Sequence, residues 1–255
     1  MRALILAAGR GTRLGRLTEA TPKPLLSAAG RPLLEWIILN LARGGIRRIA
    51  VNLSYHGEVI AAWLGDGRRL GLEEVVLSRE TQPLGTAGAL RPLAGWLGQG
   101  PFLIHYGDVV TDHDLTALET DRQRHGALAT LLMHRRSGSN SILECDADGR
   151  VTRFRERPPA TDIARAGECW VNSGVCACDP GILNLVPASG EPDLARDVLA
   201  PLAGSGRLRG QPLSGQRVAV DSPERLERLD KALRTNRLRP AGTAIAFRSD
   251  PQHDV

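Results

Sequence analysis

Apolar residues fall into short runs of two spacings, one suited to strands and the other to helices. Ala3 to Leu6 is an unbroken strand-length run, whereas Leu33, Leu34, Ile37, Ile38 and Leu41 recur at helical spacing over Pro32 to Ala42, before Gly44-Gly45 stops them. The same alternation continues with a strand over Ile46 to Leu53 (Arg47-Arg48 excepted), a helix over Tyr55 to Leu64 and a strand over Glu73 to Leu77. A helix over Thr86 to Ala94 and a strand over Pro101 to Tyr106 complete it. Strand and helix thus alternate four times, which predicts right-handed crossovers and a parallel sheet covered by helices. Beyond Asp108 the pattern loosens. A helix is expected over Asp114 to His125, then strands over Leu128 to Met133, Ser141 to Cys145, Val151 to Phe154 and Trp170 to Cys178. With few helices between them, these strands predict a mixed, partly antiparallel extension. Helix returns over Leu194 to Leu202 and over Pro223 to Leu233, the second behind an N-cap signal at Asp221-Ser222. From Thr235 to Val255 periodicity disappears, predicting a frayed tail without chemistry. The expected fold is α/β, a Rossmann-like, mixed, mostly parallel sheet flanked by helices.

Composition narrows this picture. A chain of 255 residues can bury one large core, so residues 1–234 are expected to form a single domain. No apolar run approaches the ~20 residues that cross a bilayer, and no basic-then-apolar leader opens the chain, so a cytoplasmic location without membrane association is expected. The net charge of +5 raises the question of nucleic acid, but the arginines are scattered and aromatics are only 4%, so no basic stripe or stacking platform is expected. Cys145, Cys169, Cys176 and Cys178 fit no zinc template, and are expected to be buried free thiols, with Cys176 and Cys178 on one strand face. A homo-oligomer is left open.

Chemistry enters directly after the first strand. Gly9 and Gly11 allow the backbone to turn and to bring N–H groups close to oxyanions, and Arg13 and Lys23 add charge. Among 33 Lys plus Arg, only Lys23 and Lys231 are lysine, so the ammonium at position 23 is selective: it enters a crowded phosphate site that a planar guanidinium does not fit. A polyphosphate site is predicted. It is not a Walker A loop, since Thr12 and Arg13 follow the second glycine, and Leu14 stands where a dinucleotide-binding motif needs its third glycine.

The segment Leu6-Ala7-Ala8-Gly9-Arg10-Gly11-Thr12-Arg13-Leu14 with Pro22-Lys23-Pro24 resembles the opening signature of the sugar-1-phosphate nucleotidyltransferases. Further motifs follow in that family's order to about residue 233, and the hexapeptide β-helix some relatives carry is absent, leaving the short form. The resemblance implies a nucleotide-diphospho-sugar transferase fold and the reaction of a nucleoside triphosphate with a sugar 1-phosphate (hexose or heptose), giving a nucleotide sugar and pyrophosphate. Guanylyl, thymidylyl and uridylyl transfer are all compatible with it. It also implies that Ala7, Ala8, Gly9, Gly11, Thr12, Glu80, Gln82, Gly85 and Thr86 bind nucleotide, that Arg13 holds the leaving pyrophosphate and that Lys23 bridges the two phosphates. Thr86 is also suited to cap its helix, and Gln82 to pair with a pyrimidine edge. Asp108, after Gly107, and the late Asp221 would together hold Mg2+, with Asp112 as a helix cap. Glu156 and Arg157 stand at the family's Glu-Lys-Pro, and with Asn172 are implied to hold the sugar and its phosphate. His105, Tyr106 and Ser139 to Ile142 depart from the usual pattern, which alters the expected pocket wall. Two alternatives are a cytidylyltransferase for a phosphorylated alcohol such as phosphocholine, and a silent nucleotide-sensing paralogue. The sugar-side residues speak against the first, and the intact Arg13, Lys23, Asp108 and Asp221 against the second.

Overall fold

A computed structural model describes residues 1–241. Strand β1 (Arg2–Leu6) leads through 3-10 turns at Thr12–Thr18 and Lys23–Leu25 into a small hairpin, β2 (Ser27–Ala28) and β3 (Arg31–Pro32), and helix α1 (Leu33–Arg43). Next come β4 (Arg48–Leu53), α2 (Gly57–Leu64), β5 (Glu74–Arg79), two single-turn helices α3 (Gly85–Gly88) and α4 (Ala94–Leu97), and β6 (Phe102–Tyr106). Then follow β7 (Val109–Thr111), α5 (Thr116–His125), β8 (Ala129–Ser137), β9 (Ser141–Cys145), β10 (Val151–Glu156), α6 (Ala160–Ala166) and β11 (Glu168–Cys178). The described chain closes with β12 (Leu208–Pro212), β13 (Arg217–Ala219) and α7 (Pro223–Arg234).

The main sheet has nine strands, in the order β10-β9-β11-β6-β1-β4-β5, with β8 between β11 and β12 off that path. β1 lies parallel to β4 and β6, and β4 parallel to β5, so the first half is the predicted parallel sheet. β11 runs antiparallel to β6, β8 and β9, which makes the extension mixed, as the loosened pattern suggested. Successive side chains of β1 go to opposite faces: Leu4 joins the apolar layer containing Ala50 and Ile104, while Ala3 and Ile5 join that of Ile49, Val51 and Leu103. A third layer ties Leu14 and Trp36 to Val110, Val218, Val220, Leu229 and Leu233. It binds the glycine-rich turn, α1 and α7 into one body.

Several expectations are corrected. The helix predicted over Thr86 to Ala94 breaks into α3, a 3-10 turn at Arg91–Leu93 and α4, because Pro92 has no N–H to donate and Gly88 and Gly95 weaken the helix. Thr86 does not cap it; its Oγ1 accepts the Leu194 N–H at 2.7 Å. Leu194–Leu199 forms a wide π turn and Ala200–Leu202 a 3-10 turn, with Pro201 again removing a donor. Asp112 is not a helix cap either, since it accepts from the N–H groups of Gln216 and Arg239, and Asp114 holds the turn before α5. Of Asp221-Ser222, Ser222 is the residue that caps α7. The chain remains packed beyond Thr235, where fraying was expected: Leu238 is buried in the third layer. The remainder of the expected tail, residues 242–255, lies outside the described residues. All four cysteines are free, and Cys176 and Cys178 share a buried face with their sulfurs 3.7 Å apart, but Cys145 and Cys169 are only half-buried, where burial was expected.

Candidate active site

A cavity of about 300 Å³ opens at the carboxyl ends of β1, β4, β5 and β6, where ligands of parallel α/β sheets bind. Its wall includes Ala7, Ala8, Gly9, Lys23, Glu80, Gly85, Thr86 and Asp108 from the predicted set. Gly11 and Thr12 stand just outside it, and Gln82 is exposed and away from the wall.

Two glycines of the predicted turn behave differently. Gly11 has φ +67, the left-handed region where a side chain is strained, and a Cβ there would press on Thr18 and Lys23. Gly9 has ordinary φ, and a Cβ built there meets no protein atom within 4 Å. That open space beside Ala8 is room a phosphate can use.

Lys23 Nζ donates to Asp108 Oδ2 at 2.6 Å, with only 12% of the lysine side chain exposed. Asp108 is delivered by Gly107, whose N–H donates to the Leu6 carbonyl; a Cβ at Gly107 would come within 2.6 Å of that oxygen. Glycine is therefore required where β6 leaves β1. Val220 N–H donates to the Asp108 carbonyl at 2.8 Å, so the segment bearing Asp221 runs alongside the one bearing Asp108. Asp221 accepts from Arg13 at 3.3 Å and from Arg225 at 3.1 Å. Lys23 and Arg13 thus each rest on one of the predicted metal-binding carboxylates, although Arg13 remains 73% exposed.

Sequence reasoning passed over Asn52. Its Oδ1 accepts the Ala7 N–H at 2.7 Å, and its Nδ2 donates to Glu80 Oε1 at 2.8 Å. The second oxygen of Glu80 accepts the Leu84 N–H at 3.2 Å. Both Glu80 oxygens are consequently engaged within the protein, fixing the loop that carries Gly85. The available signal was an amide in an otherwise apolar strand end, Ile49-Ala-Val-Asn52-Leu53.

Asp193 was also missed. It begins the turn at Leu194, accepts the Arg196 N–H, and stands 3.9 Å from the Arg157 guanidinium. Its segment docks on the nucleotide-side loop: Ala87 N–H donates to Pro192 O, and a Cβ on Gly85 would come within 2.5 Å of that oxygen. Burial, with Asp193 adding repulsion, pushes the Glu156 carboxyl up to about 7, while Arg157 and Arg196 oppose the shift. Tyr106 is held well above an ordinary phenol by burial and by Asp193, Glu156 and Asp108 around it. Three carboxylates from separate segments thus all lie near enough to act on the Tyr106 phenol, which lines the cavity. Arg157 takes a left-handed φ of +51 and is two-thirds exposed, free to swing. Asn172 sits at a bulge of β11, where its Oδ1 accepts the Gly174 N–H at 2.9 Å. His105 is fully buried; its ring shares a hydrogen bond with the Tyr106 carbonyl, and burial lowers it to about 4.

Fold and site together define an α/β protein with a cavity at the carboxyl edge of a largely parallel sheet, walled by a glycine-rich turn and a lysine–aspartate pair. The nucleotidyl transferase family model matches residues 2–211, and the chain belongs to that family. Among relatives, a mannose-1-phosphate guanylyltransferase of Mycobacterium tuberculosis is 33% identical, the match covering 80% of this chain and 56% of the relative. An N-acetylmuramate alpha-1-phosphate uridylyltransferase of Neisseria meningitidis is 44% identical over 46% of this chain and 51% of the relative. The chain therefore spans about half the length of these relatives. Among solved structures, a putative glucose-1-phosphate thymidylyltransferase from Bacillus anthracis, in complex with a sucrose, superposes with a TM-score of 0.81 at 18% identity, covering 96% of this chain and 97% of the other. That likeness establishes a shared fold.

Proposed function

We propose that the protein transfers a nucleoside monophosphate from a nucleoside triphosphate to a sugar 1-phosphate, releasing pyrophosphate. The observation that carries this reading is the Lys23–Asp108 pair on the wall of a cavity of about 300 Å³, with Tyr106 on the same wall and Glu156 and Asp193 near enough to raise its phenol. A sugar phosphate oxygen attacks the α-phosphorus, a new P–O bond forms, and the bond to the β-phosphate breaks with its electron pair leaving on pyrophosphate. The attacking phosphate monoester has a second pKa near ~6 and is already anionic at neutral pH, so no general base is required. Alignment and charge neutralisation remain. Lys23 would neutralise the attacking and attacked phosphates together. Arg13, exposed at the rim, would close on the departing pyrophosphate, and Arg157 would swing onto the sugar's phosphate. Glu156 and Asn172 would accept and donate to sugar hydroxyls.

The carboxylates of Asp108 and Asp221, on adjacent segments, offer the hard oxygen donors that suit Mg2+. Among the described residues no group of three or more His, Cys, Asp and Glu is arranged to hold a metal, so Asp108 and Asp221 would be the protein's contribution to such a site. Such an ion supplies charge neutralisation at the α-phosphate when bound.

The deciding experiment is a matrix of the five common nucleoside triphosphates against several hexose and heptose 1-phosphates, scored by pyrophosphate release. Turnover confined to one or a few combinations is expected. Activity only with CTP and a phosphorylated alcohol, or none with any pair, would overturn the reading.

A further inference from the structure

Arginines that are far apart along the chain converge on a second pocket. It measures about 260 Å³ and shares no lining residue with the cavity described above. Three elements build it. On β8, His134 and Arg136 stand two residues apart and so face one side of the strand. Arg217 opens β13, and Arg225 and Arg228 lie one helical turn apart on α7. These arginines, scattered along the sequence, come together only on folding.

The charges in this pocket are poorly compensated. No carboxylate is among its lining residues. Arg217 donates Nε to the Ser173 carbonyl at 2.8 Å, and burial lowers its guanidinium to about 10. Arg225 meets Asp221 and also donates to the Ala219 carbonyl, and Arg135, at the strand edge of the pocket, pairs with Glu168 at 3.7 Å. Arg136 and Arg228 form no ion pair among the described residues. His134 shares a hydrogen bond with Ser173 Oγ at 2.8 Å; burial and then Arg217, Arg136 and Arg225 lower it to about 4. It is therefore a neutral hydrogen-bonding partner among cations. Guanidinium groups converging with no carboxylate in the pocket wall match the charge and the forked acceptors of phosphate oxygens. The pocket is too small for a polymer, and no aromatic residue lines it for stacking bases.

We propose that this pocket is a second anion site, distinct from the catalytic cavity, which binds a diphosphate group. Arg136 and Arg228 form no ion pair among the described residues, and Arg217 feels Asp108 and Asp221 without pairing to either. Their summed charge is matched better by the roughly three to four negative charges of a diphosphate than by the about two of orthophosphate. Arg225 links the pocket to Asp221, so a diphosphate that recruits Arg225 takes it from that carboxylate. Occupancy would thus be felt at the catalytic edge.

Isothermal titration calorimetry of the full chain with inorganic pyrophosphate, without divalent cations, tests this. Comparison uses Lys23→Ala, which disables the catalytic cavity, and the surface double variant Arg136→Ala/Arg228→Ala. Saturable binding should persist in Lys23→Ala and weaken about tenfold or more in the double variant, with Arg136→Lys/Arg228→Lys recovering part of it. Binding lost in Lys23→Ala, unchanged in the double variant, or absent from the wild type would overturn the proposal. Orthophosphate binding as tightly as pyrophosphate would overturn its diphosphate part. A uridine diphosphate arm separates a free diphosphate, which binds tighter alone, from a nucleotide-borne one, which binds tighter with its nucleoside. Failure of the substrate matrix would leave these binding results standing.

Discussion

Lys23 combines near-complete burial with a 2.6 Å contact to Asp108, so its charge acts where water screens it little. Lys23→Ala and Asp108→Asn should each slow turnover about a hundredfold or more, on the order of 3 kcal/mol of transition-state stabilisation, in a pyrophosphate-release assay at saturating substrates. Lys23→Arg should recover little, because a planar fork does not fit where the compact ammonium reaches. Glu156 presents a different kind of dependence. Its folded carboxyl titrates near 7, above the ordinary 4.5, because burial and Asp193 disfavour the anion. The stability its protonated form contributes is complete below the ordinary value and lost as pH rises through about 7. Glu156→Gln, which cannot ionise, should therefore show a melting temperature that gains on the wild type between pH 5 and pH 8. A constant difference across that range would contradict the burial described here. The lysine and both aspartates were legible in the sequence because each belongs to a short, ordered motif. Asn52 and Asp193 were not, because their importance lies in partners 45 residues away for Asn52 and on another loop for Asp193.

At the scale of elements, the sequence pattern was most informative where local preference and packing agree. Helix α1 and strands β1, β4 and β6 have their predicted character because their apolar spacing matches what the two sheet faces bury. β12 and β13 escaped detection because Leu208-Arg-Gly-Gln-Pro212 and Arg217-Val-Ala219 carry little strand propensity; their pairing with β8 and β7 is supplied from far along the chain. The broken helix after Gly85 shows the opposite failure, in which apolar spacing outweighed the proline. That breakage leaves a loop held from both sides, which makes a prediction possible. Gly85→Ala combines a left-handed φ with a Cβ 2.5 Å from Pro192 O, so the Glu191–Asp193 segment must move. It should cost about 1–3 kcal/mol in denaturant unfolding and raise KM for both substrates. Asn52→Ala should cost a similar 1–3 kcal/mol, since it strips buried hydrogen bonds from Ala7 and Glu80.

Across the whole molecule, the third apolar layer joins residues from Leu14 to Leu238, so the carboxyl-terminal part of the described chain packs in one cluster with the turn that follows β1. Leu238→Ala should cost about 2–4 kcal/mol, as a buried leucine does, although no periodicity marks it. Acid should destabilise the fold through His105. Its folded value near 4 lies below the ordinary 6.5, so the unfolded chain takes up a proton that the native state refuses. Stability is intact above 6.5 and falls as pH drops toward 4, by about 3 kcal/mol for this fully buried ring. His105→Phe should flatten the pH dependence of the melting temperature in that window. The Asn52 amide has a further consequence at this scale. It holds the phosphate-side backbone with one end and the nucleotide-side loop with the other. The loop from Glu80 to Gly85 therefore cannot be exchanged independently of residue 52. A chimera in which residues 80–88 are replaced by a loop without an acceptor at position 80 leaves the Asn52 Nδ2 buried and unpaired, although its Oδ1 still holds Ala7.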